Sequence, residues 1–182
     1  MFIFRRISEN DADFDFITGN IAFDEKNPDG SLKVYLNEDI VSGGEFYTHL
    51  FIEKNNSNET LILGLLRYKF TNKEEFLSEL KKCEVEEEFK NNLIKELDKK
   101  RLSFIYLSRI GVVKNYQDMN IGQIISNFFE FLIKRNREWS FIFVKVIEKH
   151  KDFIAPSYDF IAHNDDNKWG SYYLASKYLD FD

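Results

Sequence analysis

The pattern of hydrophobic and polar positions predicts strands in five segments of the chain. "EFYTHLFIEK" (45–54) and "TLILGLLRYKF" (60–70) are rich in β-branched and aromatic residues, and turn-forming asparagine and serine lie between them. That combination is typical of a β-hairpin. "SFIYLSRIGVV" (103–113) and "EWSFIFVKVI" (138–147) predict two more strands, the second apolar enough to be buried on both faces. "DNKWGSYYLASKYL" (166–179) predicts a final strand or hairpin.

Helical periodicity appears in four other segments. A short helix is expected at 32–36, after an Asn-Pro-Asp-Gly turn signal, and one or two amphipathic helices over the charged segment 72–101. The charges of that segment fit a solvated helix face better than an interaction tail. A helix is also expected over 149–163, where Pro156 is tolerated only in the first turn. The run 121–133 places its apolar residues on one stripe, namely Ile121, Ile124, Ile125, Phe128, Phe129 and Leu132.

The strand at 103–113, the helix at 121–135 and the strand at 138–147 form a βαβ unit. Such a crossover joins parallel strands and is right-handed in nearly all compact folds. The fold class is therefore α/β, or α+β, with a mixed sheet. The chain has 182 residues, 43% of them hydrophobic, which suffices for one sizeable core. We expect a single domain over 1–182 with a charged helical insertion at about 72–101.

Composition excludes several classes of protein. No apolar run approaches the ~18 residues of a membrane span, and the first residues lack the features of a signal peptide. We therefore expect a cytoplasmic protein without membrane contact. The single cysteine, Cys83, excludes an intramolecular disulfide, and three widely spaced histidines form no metal-binding motif, so no metal is expected. The net charge of −6 weakly disfavours a broad nucleic-acid-binding surface.

The candidate chemistry is concentrated in "YQDMNIGQII" (116–125), which joins a predicted strand to a predicted helix. The first amides of a helix have no intrahelical partner, and the helix dipole adds about half a positive charge there. An anionic phosphate can accept hydrogen bonds from these amides and is attracted by the partial positive charge. Gly122 permits close approach of a phosphate, and Asn120 is the residue type next most tolerant of a left-handed backbone. The absence of GxGxxG and GxxxxGK[ST] motifs argues against a dinucleotide fold and a P-loop.

The longer segment "RIGVVKNYQDMNIGQII" (109–125) resembles the acetyl-CoA-binding segment of the GNAT superfamily of N-acetyltransferases. The family pattern is Leu-Ala-Val, three variable residues, Tyr, Gln or Arg, Gly, any residue, Gly, Ile or Leu, Gly. Ile110-Gly111-Val112 stands at the apolar triplet, and the spacing from Val112 to Gly122 fits without a gap. Asp118 and Asn120 replace the first and second glycines of the pattern.

The order of predicted elements from about 34 to 178 also fits this superfamily, so the resemblance covers most of the chain. It implies a twisted, mostly antiparallel sheet with a central parallel pair of strands and helices on both faces. Arg109 lies directly before the apolar triplet. An arginine at this position resembles the motif of a subgroup that includes tRNA-acetylating toxins.

The resemblance also implies how acetyl-CoA is bound. In the family, backbone groups of the strand bind the pantetheine arm, and the amides of the turn hold the pyrophosphate. The corresponding residues are Ile110, Val112, Gln117, Asp118, Met119, Asn120, Ile121 and Gly122. A splay between this strand and the strand at 139–147 admits the acetyl group, and the amine enters from the opposite side.

A Tyr-x-x-x-Gly-Phe motif of the family matches "YDFIAH" in part, with Tyr158 at its first position. The resemblance makes Tyr158 the candidate acid for the departing thiolate, and a phenol pKa near ~10 suits that role. Packing in the core is the alternative role for this residue. The base is left open between Glu45, Glu53, Glu148 and a water wire. Lys145 and Lys151 stand where related sequences often carry Asp and Asn.

Together these features indicate an acetyl-CoA-dependent N-acetyltransferase in which a primary amine attacks the thioester directly. The amine would belong to a small molecule, a peptide or aminoacyl-tRNA. Two alternatives stay open, and a homodimer is compatible with each. A toxin-like enzyme for aminoacyl-tRNA would need a local basic groove, formed by Arg5, Arg6, Arg67 and Lys69 or by 134–137. The second alternative is a non-catalytic module. It would bind CoA, or it would bind a protein partner through the helices at 72–101.

Overall fold

The computed structural model describes residues 2–6, 22–26, 32–34, 48–56, 59–113, 116, 119–135, 139–165 and 171–179. The strands are β1 (Phe2–Arg6), β2 (Ala22–Lys26), β3 (Leu32–Val34), β4 (Thr48–Asn56), β5 (Glu59–Thr71), β6 (Ser103–Val112), β7 (Ser140–Val146), β8 (Asp159–Asn164) and β9 (Tyr172–Leu179). The helices are α1 (Lys73–Leu80), α2 (Glu87–Lys99), α3 (Ile121–Arg135) and α4 (Lys151–Ile154), the last preceded by a 3-10 turn at Glu148–His150. None of these helices is long and apolar enough to span a membrane.

Seven of the strands form one sheet in the order β1-β4-β5-β6-β7-β9-β8, and β2 pairs with β3 in a second sheet. β6 and β7 are parallel, with α3 as their crossover connection. The ladders β1–β4, β2–β3, β4–β5, β7–β9 and β8–β9 are antiparallel. The predicted α/β class, with a mixed and mostly antiparallel sheet around a central parallel pair, is confirmed.

The hairpin predicted on either side of the Asn/Ser-rich turn is also confirmed. β4 and β5 pair in antiparallel register from Thr48↔Tyr68 to Asn56↔Glu59. β1 adds to the other side of β4, so the hairpin lies inside the sheet rather than at its edge.

The chain divides into two compact units, residues 1–68 with 109–132 and residues 69–108 with 133–182. The apolar core of the first unit comes from β5 and α3, and includes Leu63, Leu65, Leu66, Ile121, Ile125 and Phe129. The α3 members recur one helical turn apart, so they share one face of the helix. The rings of Tyr68 and Phe129 lie 5.2 Å apart and join the two elements. This buried face confirms the stripe predicted for 121–133.

In the second unit, α1 and α2 pack against β6, β7 and β9. The shared core consists of Phe76, Leu80, Leu97, Phe104, Phe141, Phe143 and Leu174. Phe76 is fully buried, with its ring centroid 4.8 Å from that of Phe141 and 5.3 Å from that of Phe143. Asn72 caps α1, since its side-chain oxygen accepts a hydrogen bond from the Glu75 amide at 2.9 Å. The amphipathic helices predicted over 72–101 are thus confirmed as two helices with one apolar face each.

The short helix predicted at 32–36 is wrong for its first three residues. Leu32–Val34 forms β3, where Leu32 and Val34 pair with Lys26 and Ala22 of β2. Apolar spacing over so few residues fits either structure, and strand pairing decides between them. Tyr35 and Leu36 lie outside the described residues.

The helix predicted over 149–163 is also wrong in its second half. The helix ends at Ile154, and Asp159–Asn164 forms β8 instead. Pro156 lacks the amide that a continuing helix would need, so the helix stops nearby. β9 then supplies β8 with an antiparallel ladder, from Asp159↔Ser176 to Asn164↔Tyr172.

Candidate functional site

The predicted acetyl-CoA segment begins at the end of β6, in the first unit. Ile110 and Val112 are half-buried, and Gly111 between them is buried. Beyond the strand, the Val113 amide donates a hydrogen bond to the Leu63 carbonyl of β5 at 2.9 Å. The Tyr116 amide then donates to the Val113 carbonyl at 2.8 Å, which turns the chain away from the strand direction.

The turn ends at Asn120, whose φ of 56° lies in the left-handed region. Such a conformation crowds a β-carbon, and asparagine is among the few residue types that tolerate it. The Asn120 carbonyl accepts the first helical hydrogen bond of α3, from the Ile124 amide at 3.1 Å. Asn120 therefore occupies a backbone position for which glycine is the usual residue.

The N-terminus of α3 has the properties of an anion-binding site. In an α-helix whose first bond joins 124 to 120, the amides of Ile121, Gly122 and Gln123 have no intrahelical acceptor. The first turn itself carries no acidic residue, so no side chain of that turn offsets the positive end of the helix dipole. Met119 is 62% exposed, and Gly122 is half-buried without a β-carbon to block an approaching ligand. Gln117 and Asp118 lie outside the described residues.

In the second unit, the parallel ladder between β6 and β7 ends before the strands do. The last pair in the described register is Leu107↔Val144, while β6 continues to Val112 and β7 to Val146. Each strand therefore carries residues beyond the end of their shared ladder. Beyond this pair the two strands are no longer paired with each other.

Tyr158, the predicted acid, lies between α4 and β8. Its amide donates to the Ile154 carbonyl at 3.1 Å, and its side chain is only 4% exposed. The Lys177 ammonium of β9 lies 5.8 Å from the centre of the Tyr158 ring. The phenol is therefore almost entirely shielded from solvent.

Of the three carboxylates considered as a base, the described part of the structure includes only the side chain of Glu148. Glu148 is exposed, and its carboxylate lies 3.7 Å from the Lys151 ammonium. Glu45 lies outside the described residues. Glu53 is a residue of β4, and the described part of the structure does not include its side chain.

A polar cluster in the second unit was not predicted from the sequence. The Glu79 carboxylate of α1 forms ion pairs with two lysines, with the Lys82 ammonium 2.8 Å from Oε1 and the Lys145 ammonium 2.7 Å from Oε2. Burial opposes ionisation of Glu79, but its hydrogen bonds to both lysines outweigh it, so the pKa of Glu79 lies below its usual value. The charge at Lys145 is thus matched by an acid on a distant helix, which no local sequence signal reveals.

The same cluster contains Cys83 and Tyr172. Asn164 donates to the Tyr172 hydroxyl at 3.1 Å and to the Lys82 carbonyl at 2.7 Å, and Cys83 and Tyr172 share a side-chain hydrogen bond. Burial raises the pKa of the Cys83 thiol, and burial with the nearby thiol raises the pKa of Tyr172 to about 12. Both groups are therefore neutral at physiological pH, which disfavours a nucleophilic role for Cys83.

Lys151, the other departure from the family pattern, packs on aromatic rings. Its ammonium lies 3.9 Å from the Tyr173 ring centre and 5.6 Å from that of Phe160. A cation over an aromatic face is attracted by about 0.5–1 kcal/mol at exposed sites. Lys151 thus joins α4 to the β8–β9 hairpin.

Comparison with solved structures identifies the fold. The ribosomal-protein-S18-alanine N-acetyltransferase from Escherichia coli has a TM-score of 0.63 at 9% identity, over 100% of this chain and 96% of that one. Arabidopsis thaliana NAA60 in complex with a bisubstrate analogue has a TM-score of 0.61 at 16% identity, over 100% of both chains. A chain of the NatC complex bound to Gag peptide and CoA has a TM-score of 0.61 at 11% identity, over 98% of this chain and 99% of that one.

The chain therefore has the fold of the GNAT N-acetyltransferases. No protein-family model matches the sequence. No curated protein matches it either.

Proposed function

We propose that this chain is an acetyl-CoA-dependent N-acetyltransferase that acts on a primary amine. The observation that carries the proposal is the backbone at the end of β6. There a turn with left-handed Asn120 leads into a helix N-terminus whose first turn has no acid. In a chain with the GNAT fold, this backbone coincides with the segment that resembles the acetyl-CoA-binding motif.

In the proposed complex, backbone groups of Ile110 and Val112 bind the pantetheine arm. The amides from 117 to 122 hold the pyrophosphate, with helix α3 supplying the positive end of its dipole. The thioester would lie where the β6–β7 ladder ends, because the two strands no longer pair with each other beyond Leu107 and Val144.

The proposed reaction is direct attack of a neutral amine nitrogen on the thioester carbonyl carbon. A C–N bond forms, and the tetrahedral oxyanion then collapses with cleavage of the C–S bond. Tyr158 gives its proton to the departing CoA thiolate. The proton of the attacking amine passes to water or to one of the carboxylates Glu45, Glu53 and Glu148, and Tyr158 regains its proton from solvent. Glu79 is not a candidate, because both of its oxygens already pair with lysines.

Two measurements on the full chain test the proposal in sequence. Calorimetric titration with acetyl-CoA should show saturable binding, and absence of binding at millimolar ligand would overturn the proposal. Release of free thiol should then depend on an added primary amine. A panel of peptides, small amines and aminoacyl-tRNA identifies the class of acceptor.

Tyr158→Phe tests the assignment of the acid. Loss of a general acid costs typically 10²–10⁴-fold in rate, so kcat should fall by about that factor while acetyl-CoA affinity is kept. Tyr178→Phe is the matched control, because Tyr178 is a 41% exposed tyrosine on β9. Undiminished turnover in Tyr158→Phe would remove this residue from the mechanism.

The support for aminoacyl-tRNA as acceptor is weaker than for a peptide or small amine. Of the cations considered for a basic groove, Arg67 is only 7% exposed and Lys69 pairs with Glu75 at 2.6 Å. Lys134 and Arg135 are exposed at the end of α3.

A non-catalytic CoA-binding module is the second candidate function. Lys145 and Lys151 replace residues that recur in related sequences, and each makes side-chain contacts within the chain. Acetyl-CoA binding without thiol release for any amine would favour the module over the enzyme.

A further inference from the structure

The Glu79 cluster lies directly beside the end of the β6–β7 ladder. Lys145 is the residue after Val144, the last paired residue of β7. Phe143 packs in the core beneath α1, and Lys145, two residues further along the strand, lies on that same face and contacts Glu79 of α1. The cluster therefore lies beside the last residue pair of the β6–β7 ladder, the end at which the thioester is proposed to lie.

The cluster presents positive charge to solvent. It contains two ammoniums for one carboxylate, and the side chain of Glu79 is 15% exposed, against 32% for Lys145 and 53% for Lys82. The anion is thus the deeper partner. An ammonium has three hydrogen-bond donors, and a single contact with Glu79 leaves two on Lys145.

Glu79 is a positioning residue for Lys145 rather than a base. Both of its oxygens bind ammoniums, and these contacts hold its pKa below the usual value, so it is a poor proton acceptor. The Tyr172 ring, whose centre is 5.2 Å from the Lys145 ammonium, restricts the lysine on a second side. Lys145 is therefore held in place before any ligand binds, which lowers the entropic cost of binding one.

We infer that Lys145 is a specificity-determining residue that binds a carboxylate of the acceptor and so selects peptide N-termini with an acidic residue near the amine. The inference rests on the proposed function. An extended peptide advances about 3.4 Å per residue, so Asp or Glu within about the first three residues can reach a lysine beside the reacting centre. A lysine–carboxylate contact at this partly buried position is a charge-assisted hydrogen bond.

The test uses two peptides that differ only at residue 2, Asp in one and Asn in the other. The wild-type chain should acetylate the Asp peptide with a kcat/KM about tenfold higher, the factor expected for one hydrogen bond to a charged group. Lys145→Gln should bring that ratio close to one. Lys95→Gln on α2 is the matched control, since Lys95 is an exposed lysine of the same unit, and it should keep the wild-type ratio.

A binding measurement gives a second readout that does not depend on turnover. Fluorescently labelled Asp and Asn peptides are titrated with the CoA-saturated protein, and the ratio of their dissociation constants should follow the same pattern. Acetyl-CoA binding and turnover without a preference for the Asp peptide would overturn the inference and leave the proposed function standing. A preference that survives Lys145→Gln would assign selection to another residue. Failure to bind acetyl-CoA would overturn both.

Discussion

The conformation of Asn120 leads to a prediction about stability. A residue with a β-carbon in the left-handed region is strained by about 1–2 kcal/mol, and asparagine is strained less than alanine. At φ 56°, Asn120→Ala should therefore lower the free energy of unfolding by about 1 kcal/mol. In a chain of this size that corresponds to a loss of about 2–4 °C in Tm.

Asn120→Gly should behave differently from Asn120→Ala. Glycine removes the crowding but makes the unfolded chain more flexible by about 0.4–1 kcal/mol, so the net change in stability should be small. Asn92→Ala is the matched control, because Asn92 is exposed within helix α2. The same chemical change there should raise stability by a few tenths of a kcal/mol, following helix propensity.

The same position should also affect acetyl-CoA binding. Asp118→Gly combined with Asn120→Gly removes a negative charge and a β-carbon from the turn. A charge at a helix N-terminus is worth about 0.3–1 kcal/mol, so the double variant should bind acetyl-CoA up to about fivefold more tightly by calorimetry. For the stability prediction, equal free energies of unfolding of Asn120→Ala and Asn120→Gly would refute the inference that the backbone of residue 120 is strained. Unchanged or weaker affinity of the double variant would refute the assignment of the turn to the pyrophosphate.

Three further predictions concern the second unit. Phe76→Ala should lower the free energy of unfolding by about 3–5 kcal/mol in urea denaturation, because the ring is fully buried, whereas Phe89→Ala, at a 43% exposed ring, should cost less than half as much. Since the pKa of Glu79 is lowered on folding, its contribution to stability is present above its ordinary value of 4.5 and is lost as the pH falls through the folded-state pKa. Stability measured between pH 6 and 3 should therefore decline less steeply in Glu79→Gln, and an equal slope would contradict the argument. Because burial raises the pKa of Cys83, an aromatic disulfide reagent at pH 8 should label the native thiol much more slowly than the denatured one, and equal rates would show the thiol to be accessible.

Most of the strands and helices were predictable because their signals are local. The period-2 pattern on either side of 55–58 specified a hairpin, and the apolar stripe of 121–133 specified a helix with one buried face. The crossover rule then fixed β6 and β7 as parallel neighbours without any contact being known. The two wrong assignments, at 32–36 and 159–163, fall where a short apolar pattern fits helix and strand equally well, and β1 and β2 were not predicted. Pairing with β2 and with β9 decided these cases.

The candidate site shows the same division. The sequence alone determined the strand-to-helix turn and a glycine-like role for Asn120, since both depend on the residues between 109 and 125. Only the tertiary structure decided what surrounds Lys145. Its partner Glu79 lies 66 positions earlier in the chain and meets it because the apolar faces of α1 and α2 pack on the sheet. Ion pairs between distant elements leave no periodic signal, so this part of the candidate site became visible only in the folded chain.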